Sequence, residues 1–318
     1  MTGLARSPLT TLQKGALLAL GTAAISGLSV YLNAFGVKQV PDAAVYTTLK
    51  NGVAAFILVA LALSLRGAPA AGRLGLGGLD NRGRLGILAI AVIGGSVPFV
   101  LFFTGLAMAT APTAAFIHKT LFIWVAVMAV PLLGERFGLI QIAALATLLV
   151  GQLLVAPPTG VTWGGGETMI LAATLLWSVE VVLAKRLLGG VSSAVLGAAR
   201  MGLGFVILVG YLVVSGKAGG IVAIAPEAWF WVLITGTLLA GYVATWYAAL
   251  AHAPATVVTS VLVAASVVTG VLTAISKGAA PDPVVVGGYL LVIAGVGLTL
   301  VASVLRPAAA DAGARAAA

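Results

Sequence analysis

Four charged side chains lie well inside stretches of sequence that are otherwise apolar enough to cross a membrane: Lys50, Lys119, Arg200 and Glu180. A charge near the bilayer centre costs at least about 2.5–3.5 kcal/mol, so each should face the interior of a helix bundle or water. Because three of the four are basic, such an interior favours a carboxylate or another anion, or a zwitterion if Glu180 contacts its amine. The structural alternative is that these charges pair with helix ends or backbone carbonyls.

Two of the residues in these stretches are candidates for proton coupling, Glu180 and His118. A histidine exchanges protons near neutral pH. His118 directly precedes Lys119, and neighbouring residues of a helix point about 100° apart, so only one of the two can face a cavity centre squarely. A packed, hydrogen-bonded histidine is the favoured alternative for His118, and Glu180 has the alternative of reaching toward Lys185 and Arg186.

The walls of a substrate site need polar and aromatic groups beside these charges. Aromatic residues in membrane helices more often pack or anchor at the interface than bind a ligand. The candidates are Asn33, Tyr46, Asn51, Trp177 and Trp246.

No enzyme, cofactor or metal site is predicted. A Ser-His-Asp arrangement needs an acid near a histidine, and no acid lies at a matching depth. Two histidines and one deep glutamate are too few for a metal site, and the chain has no cysteine.

The composition is that of an integral membrane protein. Of the 318 residues, 61% are hydrophobic and 8% are charged, and the mean hydropathy is +1.17. Soluble domains are roughly 45–50% apolar and about 25% charged. The net charge of +9 therefore indicates membrane orientation rather than nucleic-acid binding.

Ten apolar stretches are long enough to span a bilayer as helices, which takes about 20 residues each. The predicted fold class is thus an all-α membrane protein with ten transmembrane helices. The predicted spans are 15–37, 43–65, 85–110, 113–133, 137–156, 164–184, 191–214, 228–251, 255–276 and 283–305.

The chain repeats itself, with six identities in sixteen between 44–59 and 194–209, and Lys50 aligns with Arg200. A second similarity joins 107–112 to 249–254. Five spans per copy is an odd number, so the second copy enters the membrane from the opposite side. The predicted units are two inverted repeats, 1–156 and 157–306, followed by a disordered tail, 307–318. Such repeats build transporters with a site near the midplane.

Basic residues gather in alternate loops, which places both termini in the cytoplasm by the positive-inside rule. Three lie on the outer side, Lys38, Lys217 and Lys277. Eleven lie on the cytoplasmic side: Arg6, Lys14, Arg66, Arg73, Arg82, Arg84, Arg136, Lys185, Arg186, Arg306 and Arg315.

With its ten spans and its duplication, the chain resembles the EamA family of the drug/metabolite transporter superfamily. The resemblance rests on Gly134-Glu135 after the fourth span, Gly151 in the fifth, and the basic residue in the second span of each repeat. Lys277 stands where a second acid is often found. The resemblance implies export or exchange of small metabolites, often amino acids.

The expected function is therefore secondary transport of amino acids or other carboxylates across a plasma (inner) membrane by alternating access. The expected partners are a small anionic or zwitterionic substrate and the lipid bilayer, and no nucleic acid is expected to bind. The protein is expected to be a monomer or a homodimer. An exchanger of phosphorylated metabolites, or a membrane enzyme or scaffold that transports nothing, are the alternatives.

Overall fold

A computed structural model describes residues 9–65, 79–158 and 163–316, without the side chains of 111, 112 and 306–316. These residues form α-helices with short connections and no β-strand. The helices are α1 Thr11–Gly36, α2 Ala43–Ser64, α3 Asn81–Ile93, α4 Val97–Met108, α5 Ala111–Lys119, α6 Leu121–Leu133, α7 Leu139–Val155, α8 Gly165–Leu187, α9 Ser193–Val214, α10 Gly219–Val222, α11 Pro226–His252, α12 Ala255–Leu262, α13 Ala265–Lys277 and α14 Pro283–Ala316.

The spans expected from the sequence are present. Within the described ranges, nine stretches are long and apolar enough to cross a membrane, and α7 is a shorter apolar helix. Its 17 residues remain within the range of about 17–25 that can span a bilayer. It is short because the helix begins only after Gly138, which is its N-cap. At the other end of the chain, α14 continues to Ala316 and covers most of the segment predicted to be disordered.

Helix starts follow the local sequence. Thr10 and Gln13 form a reciprocal capping box at α1, and the Asp42 carboxylate accepts hydrogen bonds from two backbone N–H groups of α2. Thr110 and Ser192 cap α5 and α9 in the same way. These side chains satisfy donors that the first turn of a helix leaves free.

The third span is broken, although the sequence analysis predicted one helix over 85–110. α3 ends at Ile93 and α4 begins at Val97, with a turn at 94–96. Pro98 has no N–H group, so it cannot bond the carbonyl of Gly94 as a helix would require. In the second repeat Ala240 takes the place of Pro98, and α11 runs without a break from Pro226 to His252.

The two repeats interleave. α2 packs against α9 at the centre, whereas α1 packs on α11 and α13, and α8 packs on α4 and α6. The first helix of each repeat therefore lies against the third and fourth spans of the other. α7 and α14 form a separate close pair.

Candidate functional site

Arg200 and Glu180 form an ion pair inside the bundle. Arg200 Nε lies 4.0 Å from Glu180 Oε1, and the two residues are 5% and 1% exposed. The hydroxyl of Tyr247 donates a hydrogen bond to the same carboxylate oxygen. The guanidinium carbon also lies 5.9 Å from the centre of the Tyr247 ring. The structure therefore joins two predicted site residues, and Glu180 does not reach toward Lys185 and Arg186.

The break in the third span supplies the anchor of this pair. The Gly94 carbonyl, which Pro98 leaves without a helical donor, accepts hydrogen bonds from Arg200 Nη2 at 3.0 Å and from Trp177 Nε1 at 3.1 Å. A side chain at position 95 would not fit, because a Cβ on Gly95 would lie 2.3 Å from the backbone oxygen of Arg200. The break between α3 and α4, Arg200 and Trp177 are thus joined through the Gly94 carbonyl.

Arg200 and Glu180 still have unused hydrogen-bonding capacity. Among the described residues, Arg200 Nε and Nη1 are buried without a hydrogen-bond partner, and the hydrogen bond from Tyr247 occupies only Oε1 of the Glu180 carboxylate. The 4.0 Å separation is too long for a hydrogen bond. Leaving a buried donor unpaired costs about 1–3 kcal/mol and more for a charged group, so these atoms are suited to a polar ligand.

An aromatic cluster adjoins the pair. The rings of Phe99, Phe102 and His118 each lie 5.1–5.7 Å from the Trp177 ring. His118 Nδ1 is buried and has no partner in the described part of the chain. Trp177 thus lies near both proton-coupling candidates: its ring contacts His118, and it precedes Glu180 by about one turn of α8.

Lys50 belongs to a second polar cluster. Its ammonium group donates to Asn33 Oδ1 at 3.0 Å, and the same oxygen accepts a bond from the Tyr46 hydroxyl at 3.0 Å. Tyr46 also bonds Thr235 at 2.9 Å, and Lys50 Nζ lies 5.2 Å from the centre of the Phe103 ring. Three helices, α1, α2 and α11, are joined in this way.

The two clusters lie at different depths. Lys50 is the eighth residue of α2 and Arg200 the eighth of α9, and each helix has 22 residues. The contacts of Gly52 with Phe205 and of Val59 with Gly202 show that α2 and α9 run antiparallel and set their register. At about 1.5 Å per residue, the two positions are then about 10 Å apart along the helix axes.

The remaining predicted residues join neither set of hydrogen bonds. Asn51 is fully buried, and its amide has no partner within the described ranges. Trp246 stacks on Tyr242, with ring centres 5.9 Å apart. Lys119 is half-buried at the end of α5, with no hydrogen bond or ion pair to any described residue.

Sequence reasoning missed the parts of the site that the backbone supplies, Gly94 and Pro98. The signal was present, since a proline four residues after a glycine in an apolar span predicts a break in the helix. It also assigned no role to the Glu135 carboxylate, which accepts hydrogen bonds from the backbone N–H groups of Ala255 at 2.7 Å and Thr256 at 3.3 Å.

Outside the spans, Lys217 Nζ lies 2.7 Å from Asp42 Oδ2. Burial disfavours the charged form of Asp42, but the bonds from Lys217 and from the backbone N–H groups of Ala44 and Val45 outweigh it and lower its pKa. The hydrogen bond to Asp42 raises the pKa of Lys217. The pair links the loops that precede α2 and follow α9.

Interleaved repeats of membrane-spanning helices, with ionisable side chains buried between them, define a duplicated multi-pass membrane protein built like a secondary transporter. The sequence model of the EamA-like transporter family matches residues 13–156 and 164–301. The chain belongs to this family, which is part of the drug/metabolite transporter superfamily, and transport is therefore its class of function.

Solved structures share the fold. One, titled only "Crystal structure of protein", superposes with a TM-score of 0.74 over 90% of this chain and 97% of its own, at 18% identity. No curated protein matches the sequence significantly.

Proposed function

We propose that the protein is a secondary transporter that exports or exchanges small carboxylate-bearing metabolites, such as amino acids, across a plasma (inner) membrane. The observation that carries the proposal is the buried Arg200, which is held by the Gly94 carbonyl while Nε and Nη1 have no hydrogen-bond partner among the described residues. A guanidinium group presents its donors in the geometry that a carboxylate accepts.

Glu180 makes a zwitterion the favoured form of such a substrate. The carboxylate lies beside the arginine and Tyr247 bonds it through Oε1, which would leave Oε2 to an ammonium group. The carboxylate of an amino acid would bind Arg200 and its amine Glu180. The rings around Trp177 would contact its side chain, and Glu180 and His118 are the candidates for proton coupling.

The burial of the two fourth spans supports alternating access. All residues of 255–261 in α12 are buried, whereas in α5, its repeat equivalent, Ala115 is exposed and His118 and Lys119 are only partly buried. Inverted repeats place these segments at opposite ends of the bundle, and we interpret the difference in burial as closure of the bundle at the α12 end and a more open arrangement at the α5 end. With both termini cytoplasmic, as proposed from the basic loops, the open end faces outward.

The packing also suggests the moving units. Because α1 lies on α11 and α13, and α8 on α4 and α6, each unit combines helices of both repeats. Relative motion of the two units, rather than of the two sequence halves, would expose the Arg200 site alternately to each side.

A second candidate is exchange of phosphorylated metabolites, which Lys50 and Lys119 favour. Both ammonium groups lie within spans and lack a carboxylate partner among the described residues. A substrate with more negative charge would use these cations together with Arg200. Preference for sugar phosphates over amino acids would select this candidate.

A thermal-shift screen of the purified protein against amino acids, organic acids and sugar phosphates tests the proposal. A ligand that binds the folded state raises its melting temperature with concentration. We expect carboxylates, and zwitterions above all, to stabilise the protein, and Arg200→Gln to abolish the shift.

Arg82→Gln is the matched control, because Arg82 is an exposed residue at the start of α3. It should leave the ligand-induced shift unchanged. A carboxylate that stabilises the Arg200→Gln protein as much as the parent would contradict the assigned site.

A further inference from the structure

The junction between α11 and α12 is held by two charges of opposite sign. Glu135 bonds the backbone N–H groups of Ala255 and Thr256 at the start of α12. Lys185 Nζ donates to the carbonyls of Leu250 and Ala253 at the end of α11, at 2.6 and 2.8 Å. A carboxylate at a helix N-terminus and an ammonium group at a C-terminus both match the helix dipole.

Both charges come from helices outside this junction. Glu135 follows α6, in the first repeat, and Lys185 lies near the end of α8. The Thr256 hydroxyl also donates to Glu135, and Gln141 donates to the oxygen of the same hydroxyl at 3.3 Å. The junction is therefore tied to three other parts of the bundle at the end where α12 is buried.

In the described part of the chain, the equivalent junction at the other end has no such clamp. The repeat alignment places Lys277 where Glu135 stands and Phe35 where Lys185 stands. A positive charge and an apolar ring cannot replace these bonds. Close packing, in contrast, is similar at both ends, because Gly15 lies against Ala253 and Gly166 lies against Met108.

We propose that Glu135 is the latch that keeps the α12 end of the transporter closed. Lys185, on α8, assists it by holding the end of α11. The bonds across the repeats stabilise the state in which α12 is buried. Opening this end requires Glu135 to release α12, and the described residues of the opposite end lack the corresponding bonds. The sequence thus biases the resting protein toward closure at the Glu135 end. This inference depends on the alternating access of the proposed function, but on no particular substrate.

The absence of cysteine from the chain allows a direct test with single-cysteine reporters. Val257→Cys reports on the closed end, and Ala115→Cys is its repeat equivalent at the open end. Each reporter is placed in the parent, Glu135→Ala and Glu135→Gln proteins. Its rate of reaction with a charged maleimide is measured in detergent micelles, where the reagent reaches both ends.

We expect the Val257→Cys reporter to react slowly in the parent and at least about tenfold faster with Glu135→Ala, while the Ala115→Cys reporter slows. A tenfold shift corresponds to about 1.4 kcal/mol, and the loss of a helix cap is of this order. Glu135→Gln should act in the same direction, because it removes the charge at similar volume. Lys185→Gln should do so as well.

Glu167→Gln is the matched control. Glu167 also caps a helix start, with Oε2 3.0 Å from the Gly164 nitrogen, but among the described residues it bonds only the N-cap of its own helix, α8. It should leave both labelling rates unchanged. An unchanged Val257→Cys rate in both Glu135 variants would overturn the latch, and so would a parallel rise at both reporters, which indicates general loosening. Neither result depends on the substrate assignment.

Discussion

Glu180→Gln and Arg200→Gln should each lower the free energy of unfolding strongly. The double variant should lose much less than the sum of the two single losses. Removing one member of a buried ion pair leaves the other charge uncompensated, at a cost of about 3–5 kcal/mol. Two unit charges 4.0 Å apart attract by about 4 kcal/mol at an effective dielectric constant of about 20. Because glutamine retains part of the hydrogen bonding, we expect a coupling of about 2–3 kcal/mol.

The assay is a double-mutant cycle on the free energy of unfolding, measured by titrating the protein in mixed micelles with a denaturing detergent. Arg200→Gln combined with Glu167→Gln serves as the control pair, since Glu167 caps the far end of α8 and should combine additively. Additivity of Arg200→Gln and Glu180→Gln within about 0.5 kcal/mol would refute the claim that the two side chains form one electrostatic unit.

Three further predictions concern other parts of the molecule. Asp42→Asn should lower the melting temperature slightly, since the partly exposed pair with Lys217 is worth about 0.2–1 kcal/mol. Because the pKa of Asp42 is lowered from 3.8 and that of Lys217 is raised from 10.5, this loss should be complete between those two ordinary values, and thermal scans should show no difference only once the pH lies below the lowered pKa of Asp42 or above the raised pKa of Lys217. Asn33→Ala removes the only hydrogen-bond acceptor of Lys50 among the described residues and should lower the unfolding free energy by about 1.5–3 kcal/mol in the same micelle titration, and an unchanged value would contradict the contact. Gly95→Ala should abolish the ligand-induced thermal shift, because its Cβ would collide with a backbone carbonyl 2.3 Å away on α9, and a retained shift would show that the helices can separate there without loss of the site.

Much of the fold could be predicted from the sequence, because lipid imposes a simple requirement. Each span has to satisfy its backbone internally and be apolar over the thickness of the bilayer. The spans and the duplication, with Lys50 and Arg200 as equivalents, follow from composition and self-similarity alone.

The partners of the buried charges did not follow from self-similarity. Glu180 aligns with Val30 and Tyr247 with Gly105, so the repeat gives no hint that they meet Arg200. The alternative that Glu180 reaches the basic residues at the end of α8 was wrong, because its carboxylate is buried against Tyr247 instead.

Broken helices were the other feature that span prediction did not provide. Hydropathy treats 85–110 as one apolar stretch, but the missing N–H of Pro98 frees a backbone carbonyl in its middle. That carbonyl binds Arg200 and Trp177, so the main anchor of the site is a main-chain atom. The proline predicts the break, but nothing in the sequence says which side chains bind the carbonyl that it frees.

Exchange in proteoliposomes tests the central claim, that Arg200 recognises the carboxylate of a transported metabolite, most directly. Vesicles containing the purified protein are loaded with amino acids, organic acids or sugar phosphates, and uptake of the labelled compound is measured. We predict exchange of carboxylates that falls at least about tenfold with Arg200→Gln, the loss expected when about 1.4 kcal/mol of binding is removed, and that persists with Arg82→Gln. Carboxylate exchange at the parental rate by the Arg200→Gln protein would contradict the claim.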